Sequence, residues 1–422
     1  MTRDSLQRIH NRNTVLNAFG EGMWGFASAF HNFQSVIPVF LAQMGAATWL
    51  IGMVPGGFIL LMAIPQLVSA TLFRTYPNVK RLNILLHFAI LPVVIGIVIC
   101  FFFLRITGST GVLVYMLLAA GYALSIGWLI PVWADFLASV ALPHRRGRFM
   151  GITFMANAVL AMAGGYGLKV ILENAWFPFP ANFGFGWLIM AVAIAIGSSM
   201  FFFMTVIEKP RTITDTDGSA LRRIFRIYRE NGPFRQYIYS RMLVAAAMMP
   251  LAFYAIDLQD RFALPLSSTG TFTFFLVMGT ALFNLLFGHL GDRRGRKFAV
   301  TFHFVAHLAA ILTTLFLDFG WTPYLVFIFI GMANGVAQSN FMVYVYEFAG
   351  ESGDRKLHYA ALDTAVAPVL LLYILSAGPI VETWGYGALY SVAGILVSLG
   401  LILFVWKVPD PRRDLDAEHQ SA

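Results

Sequence analysis

A carboxylic acid in an oily segment has two chemical uses. It can carry a proton, or it can meet a positive charge. Glu21 is such an acid, the only one in the apolar stretch 14–41. Asn17, Trp24, Ser28, His31, Asn32 and Ser35 recur around it every three or four residues. At 100° per residue they share one helical face. A polar stripe on a spanning helix must face protein or water, not lipid. Glu21 is therefore expected to face a cavity, where it titrates or contacts a solute. The plainer alternative is a structural hydrogen bond near the mouth. Arg241 stands two turns into a later apolar segment, at a depth similar to that of Glu21. The two are expected to pair, the alternative being that Arg241 snorkels to the interface.

Further polar groups stud other apolar segments: Tyr122, Ser125 and Trp128, then Tyr254 and Asp257, then Asn334, Gln338, Ser339, Asn340 and Tyr344. Most are neutral hydrogen-bonding or aromatic groups. They suit a neutral, zwitterionic or aromatic organic solute better than a multiply charged anion. His303 and His307 are i,i+4. No third ligand accompanies them, so neither a metal nor any other cofactor is expected. Asp363 precedes Pro368. It either stabilises a helix start or joins a proton path.

The elements that hold these residues follow from composition. The 422 residues are 58% hydrophobic and 12% charged. A soluble domain carries about 25% charged residues, so lipid is the expected solvent. A span needs about 20 mostly apolar residues. Segments of that kind lie near 14–41, 48–72, 82–104, 110–138, 149–171, 184–206, 235–258, 267–290, 298–317, 323–348, 358–382 and 386–406. The expected fold is an all-α membrane protein of twelve transmembrane helices in two six-helix bundles, residues 1–206 and 235–406. Residues 207–234 form the linker and 407–422 the tail. The linker stretch "GSALRRIFRIYRENG" has an apolar face of Leu221, Ile224, Phe225 and Tyr228 against four arginines. It reads as a helix lying on the leaflet.

Of the 29 Lys and Arg, one side of this topology receives only Arg105, Lys169 and Arg261. The basic side, with both termini, is expected to be cytoplasmic. The net charge of +8 then reflects topology and anionic lipid rather than nucleic acid. The lone Cys100 excludes a disulfide framework. A polar N-terminus without a signal-peptide core makes the first apolar segment a retained span.

One loop is denser in charge than topology alone demands. "GHLGDRRGRK", residues 288–297, packs four basic residues, an acid and three glycines into ten positions. Its spacing, Gly288-x-x-x-Asp292-Arg293-x-Gly295-Arg296-Lys297, resembles the loop signature of the major facilitator superfamily. The corresponding loop of the first half, "LFRTYPNVKR", keeps Lys80 and Arg81 but lacks the Gly and Asp. Acids near the ends of segments four and ten, Asp135 and Glu347, repeat in matching order. The resemblance implies a transporter working by alternating access, with helices one, four, seven and ten lining the cavity and helix nine peripheral. It implies that the loop is a gate. Asp292 would approach the start of helix five, with Arg145, Arg146 and Arg148 nearby, and Arg293 or Arg296 would pair with Glu347. Gly164, Gly165 and Gly167 crowd helix five, but the family's antiporter signature also needs a Pro there, which this helix lacks.

The expected function is secondary active transport of a small organic solute by a monomer in a bacterial inner membrane, coupled to protons through Glu21. The alternative is a membrane sensor or scaffold on the same fold. A catalytic role finds no nucleophile–base pair, and ATP hydrolysis finds no glycine-rich phosphate loop.

Overall fold

Helix is the regular structure throughout the described residues. This is what lipid enforces, because a helix satisfies every backbone group within one segment. The computed structural model describes residues 3–73, 76–142, 146–174, 181–208, 226–349 and 355–411. The helices are α1 (Arg3–Phe30), α2 (Val36–Gln43), α3 (Thr48–Leu72), α4 (Val79–Val98), α5 (Gly108–Val140), α6 (Arg146–Glu173) and α7 (Ala181–Thr205). They continue as α8 (Gly232–Val244), α9 (Tyr254–Arg261), α10 (Ser268–Arg294), α11 (Arg296–Phe316), α12 (Thr322–Ala349) and α13 (Arg355–Lys407).

Eight of the described helices are long and apolar enough to cross a membrane. A ninth candidate is the bent pair Gly232–Ala252 and Tyr254–Arg261, which turns by 46°. Segments eleven and twelve run together in α13, whose interior is broken only at Gly385, φ 81° and ψ 177°. That conformation is essentially reserved for glycine.

The first expected span is interrupted. Asn32 Oδ1 accepts from the backbone N–H of Gln34 at 2.8 Å and of Ser35 at 3.1 Å. The side chain offers the backbone a local turn in place of the helical bond. It ends α1 and lets α2 begin at Val36, whose N–H bonds the Asn32 carbonyl at 3.0 Å. The expected linker helix lies largely outside the described residues; 226–230 are helical.

Contacts group the chain into two compact units. One comprises residues 1–216 with 259–274, the other 217–258 with 275–422. Residues 259–274 thus group with the first unit, where Ser35 Oγ and Thr273 Oγ1 bond at 2.7 Å.

Small residues set the helix spacing inside each unit. A Cβ on Gly25 of α1 would lie 2.7 Å from the Asn157 carbonyl carbon of α6, and one on Gly164 would lie 2.8 Å from Ala29 Cβ. In the second unit, α12 rests on α10 through Gly331 and Gly335. A Cβ there would come 2.9 Å from Thr280 N and 2.7 Å from Asn284 N, respectively. Close backbone approach through small residues is a usual means of helix packing in lipid.

Candidate functional site

Glu21 sits where the close approach of α1 and α6 puts it. It is 4% exposed. Its Oε1 accepts from Trp133 Nε1 of α5 at 2.5 Å. Its backbone carbonyl accepts from Asn157 Nδ2 of α6 at 2.8 Å. One turn earlier, Asn17 Nδ2 donates to Thr153 Oγ1 at 3.2 Å. Asn17 and Glu21 therefore face α5 and α6. The rest of the expected stripe divides. Trp24 turns its ring edge to His87, centroids 5.4 Å apart. Ser28 is exposed and bonds back to the Gly25 carbonyl at 2.7 Å. Asn32 and Ser35 build the turn instead of lining a helix face.

His31, at the end of α1, is buried among aromatics. Its Nε2 bonds Tyr115 Oη at 2.8 Å, and its ring meets Tyr122 edge-on at 5.0 Å. Phe33 stacks on Phe58 at 3.8 Å. Tyr122 belongs to this cluster. Trp128 faces α3, with its ring 5.9 Å from Phe73.

Arg241 is the charged centre of the second unit. Its Nη1 donates to His303 Nε2 at 3.3 Å. The guanidinium carbon lies 4.2 Å from the Phe341 ring centre and 6.0 Å from that of Phe304. His303 Nδ1 bonds the Ala333 carbonyl at 2.8 Å. A carbonyl only accepts, so Nδ1 carries the proton and Nε2 offers the lone pair that Arg241 needs. His303 is thus a neutral acceptor held in one tautomer. Helix nine, expected to be peripheral, contributes directly here, with His303 at 5% and His307 at 3% exposure. Glu21 and Arg241 each have a hydrogen-bond partner within their own unit. Asp363 lies two turns inside α13, so it does not stabilise that helix's start.

The other residues expected to line a cavity differ in burial. Tyr344 is fully buried against Tyr237, centroids 5.1 Å apart, and Tyr254 stacks on Tyr390 at 5.3 Å. Asp257 Oδ2 accepts from Tyr390 Oη at 2.8 Å. Gln338 is exposed and accepts from Asn284 Nδ2 at 3.0 Å. Asn334 is half-buried in α12.

The loop after α10 has a definite architecture. Gly295 adopts φ +96° and donates its N–H to the Gly291 carbonyl at 3.1 Å. Only a residue without Cβ takes that backbone readily. The turn brings Arg296 back onto Asp292 as an i,i+4 ion pair. Arg296 Nη1 also donates to Asn340 Oδ1 of α12 at 2.8 Å. Asn340 Nδ2 reaches the Phe287 carbonyl at 3.2 Å, tying α12 to α10. Arg296 thus meets α12 at Asn340, two turns before Glu347. Lys297 Nζ donates to the Val405 carbonyl at 3.2 Å. Gly288 lies beside Ser339, Arg293 is exposed, and Asp135 is half-buried in α5. Arg145 lies outside the described residues. Arg146 is described only as the first residue of α6, and the side chain of Arg148 is not described.

Trp133, Asn157 and Phe341 are not among the residues the sequence singles out, and His303 stands out there only as half of an i,i+4 pair that lacks a third ligand. Trp133 was legible: eleven residues beyond Tyr122 is three turns, the same face of α5.

The description "Major Facilitator Superfamily" belongs to the family model that matches residues 174–361. No curated protein matches the chain by sequence. Solved structures match along nearly its whole length. A D-xylose-proton symporter shares 14% identity at TM-score 0.70, covering 95% of this chain and 98% of that one. The nucleoside transporter NupG shares 13% at TM-score 0.68, covering 94% and 97%. A bacterial homologue of the iron transporter ferroportin shares 16% at TM-score 0.65, covering 96% and 99%.

Proposed function

We propose that this chain, an integral membrane protein of the major facilitator superfamily, is a secondary active transporter that moves a small organic solute by alternating access and couples that movement to protons through Glu21. The observation that carries the coupling is the setting of Glu21: a carboxyl group buried in α1, held by one indole N–H, with no basic side chain in ion-pair contact with it among the described residues. A bare carboxylate is costly in such surroundings. A group that gains by taking up a proton there, and by shedding it when water reaches it, is fit to link protonation to conformation. Trp133 can donate to the carboxyl in either protonation state, so it orients Glu21 without fixing its charge.

The solute is expected to be uncharged or zwitterionic, in keeping with the neutral groups around His31 and Tyr122. The loop at 288–297 acts as part of the gate. Its internal ion pair and the Asn340 link make α10, α11 and α12 move together. We place both termini on the cytoplasmic side of a bacterial inner membrane, with twelve crossings in a monomer, as the Lys/Arg bias indicates.

The test is uptake by proteoliposomes over a solute panel, with and without an inward proton gradient. The reading expects accumulation only with the gradient, and Glu21→Gln to abolish accumulation while leaving solute exchange. Transport that ignores the gradient would refute the coupling. A protein that carries none of the panel yet loses a measurable cellular response on deletion would favour a sensor.

A further inference from the structure

The first-half counterpart of the loop at 288–297 keeps its cations and lacks their acid. In the second unit Asp292 takes Arg296. Residues 72–81 contain no Asp or Glu beside Lys80 and Arg81. Among the described residues, Lys80 Nζ and the Arg81 guanidinium have no ion-pair or hydrogen-bond partner. The backbone N–H groups of both residues are taken. Lys80 N–H donates to Glu208 Oε2 at 3.1 Å, and Arg81 N–H to Asn78 Oδ1 at 2.8 Å. The start of α4 is thus closed, and what remains open is side-chain charge.

That charge lines two adjoining cavities of the first unit. One, of about 490 Å³, has Lys80, Thr205 and Glu208 in its wall. The other, of about 270 Å³, is lined by Asn78, Lys80, Arg81 and Ile84. They share Asn78 and Lys80. Together they are large enough for a small ligand or headgroup. Arg12 Nη2 donates to the Thr205 carbonyl at 3.0 Å, which brings a third cation to the wall of the larger cavity. Glu208 is the one carboxylate in either wall, so three cations there meet one acid.

The position of the cavities says what kind of anion fits. The apolar span of α4 begins at Val79 and that of α7 ends at Thr205, so the cavities open at a membrane surface. Ile84 lies one turn inside the span from Lys80, and the wall passes there from cations to hydrocarbon. Arg81, Leu85 and Phe88 follow at i, i+4 and i+7, one face of α4. Leu85 is 61% and Phe88 47% exposed. A free phosphate would use the cations and leave the apolar wall bare. A zwitterionic headgroup would add a cation where cations are already in excess.

We propose that the first unit binds an anionic phospholipid of the phosphatidylglycerol type at this place. Its phosphate takes Lys80 Nζ and the Arg81 guanidinium, which suits a phosphate fork, and an acyl chain runs along Leu85 and Phe88. The lipid supplies Lys80 and Arg81 with the anion that Asp292 supplies in the second unit. Basic pockets between spanning helices are suited to such headgroups. The inference needs only the membrane assignment and stands apart from solute and proton coupling.

The experiment counts lipids bound to the purified, delipidated full-length protein by native mass spectrometry. The probes are dioleoylphosphatidylglycerol, dioleoylphosphatidylcholine, which has the same chains on a zwitterionic head, and glycerol 1-phosphate, which has no chains. The phosphatidylglycerol is expected to bind about tenfold or more tightly than the phosphatidylcholine, as befits two basic side chains at a membrane surface. Lys80→Gln with Arg81→Gln should remove that preference. Arg226→Gln with Lys407→Gln, an equal loss of charge at other exposed positions, should keep it. Arg81→Gln alone, also at an exposed position, should narrow the preference and serves where the double variant fails to fold. Equal binding of the two lipids by the wild type overturns the proposal, as does an equal loss in the two double variants. Displacement of the lipid by glycerol 1-phosphate at equal concentration would also overturn it and make the cavity a site for a free anion.

Discussion

At the residue scale, two side chains concentrate the chemistry. Each is oriented by a neighbour that holds it without neutralising it. Trp133 aims the carboxyl of Glu21, and His303 aims the guanidinium of Arg241. Removing the orienting group should therefore weaken function without erasing it. Trp133→Phe keeps an aromatic ring but loses the indole N–H and its 2.5 Å bond. Such a bond to an ionisable group is worth about 1.5–3 kcal/mol, so gradient-driven uptake should fall by about tenfold or more, while Glu21→Gln should abolish it. Initial uptake rates of the two variants check this; equal loss would mean that Trp133 does more than orient. The acid and the arginine were legible in the sequence as lone charges in apolar segments. The pairings were not, because neither the helical register of Trp133 nor the i,i+4 spacing of His303 shows where its N–H or lone pair points until the packing does.

At the element scale, glycines and one asparagine decide where helices touch and end. Gly331→Leu would drive a side chain into the backbone of α10 around Thr280 and Gly279. Overpacking of this kind costs about 1–3 kcal/mol. A lower thermal midpoint is expected, together with weaker docking of α12, which carries the Asn340 end of the Arg296 contact. Thermal unfolding followed by size-exclusion chromatography reads this out, and an unchanged midpoint would contradict the packing account. Asn32→Ala removes two backbone acceptor contacts at the break between α1 and α2. It should cost about 1 kcal/mol in the same assay, whereas Ser28→Ala, at an exposed position, should cost nothing measurable. The apolar periodicity showed where helices run. The break at residues 31–35 was concealed because Asn32 looked like one more member of a polar stripe. Nor did the sequence mark Gly385 as the residue whose backbone interrupts α13.

At the scale of the whole molecule, the fold explains why so few charges matter. A multi-pass membrane protein buries its apolar faces in lipid, so each intramembrane charge must have a use. Topology is testable apart from transport. In a background with Cys100 replaced by Ser, cysteines introduced at Lys169 or Arg261 should react with a membrane-impermeant maleimide from outside whole cells, and one at Arg293 should not. The reverse pattern would invert the proposed orientation. The apolar segments and the loop signature made the multi-pass helical fold the most legible from sequence, because both depend on composition and local spacing, not on three-dimensional packing. The central claim is that Glu21 links proton movement to solute movement, and it can be read in one experiment. Proteoliposomes loaded with a pH-sensitive dye receive a transported solute with no imposed gradient. The wild-type protein should shift the internal pH as solute enters, and Glu21→Gln should exchange labelled solute with no pH change. A pH shift that persists in Glu21→Gln would contradict the account.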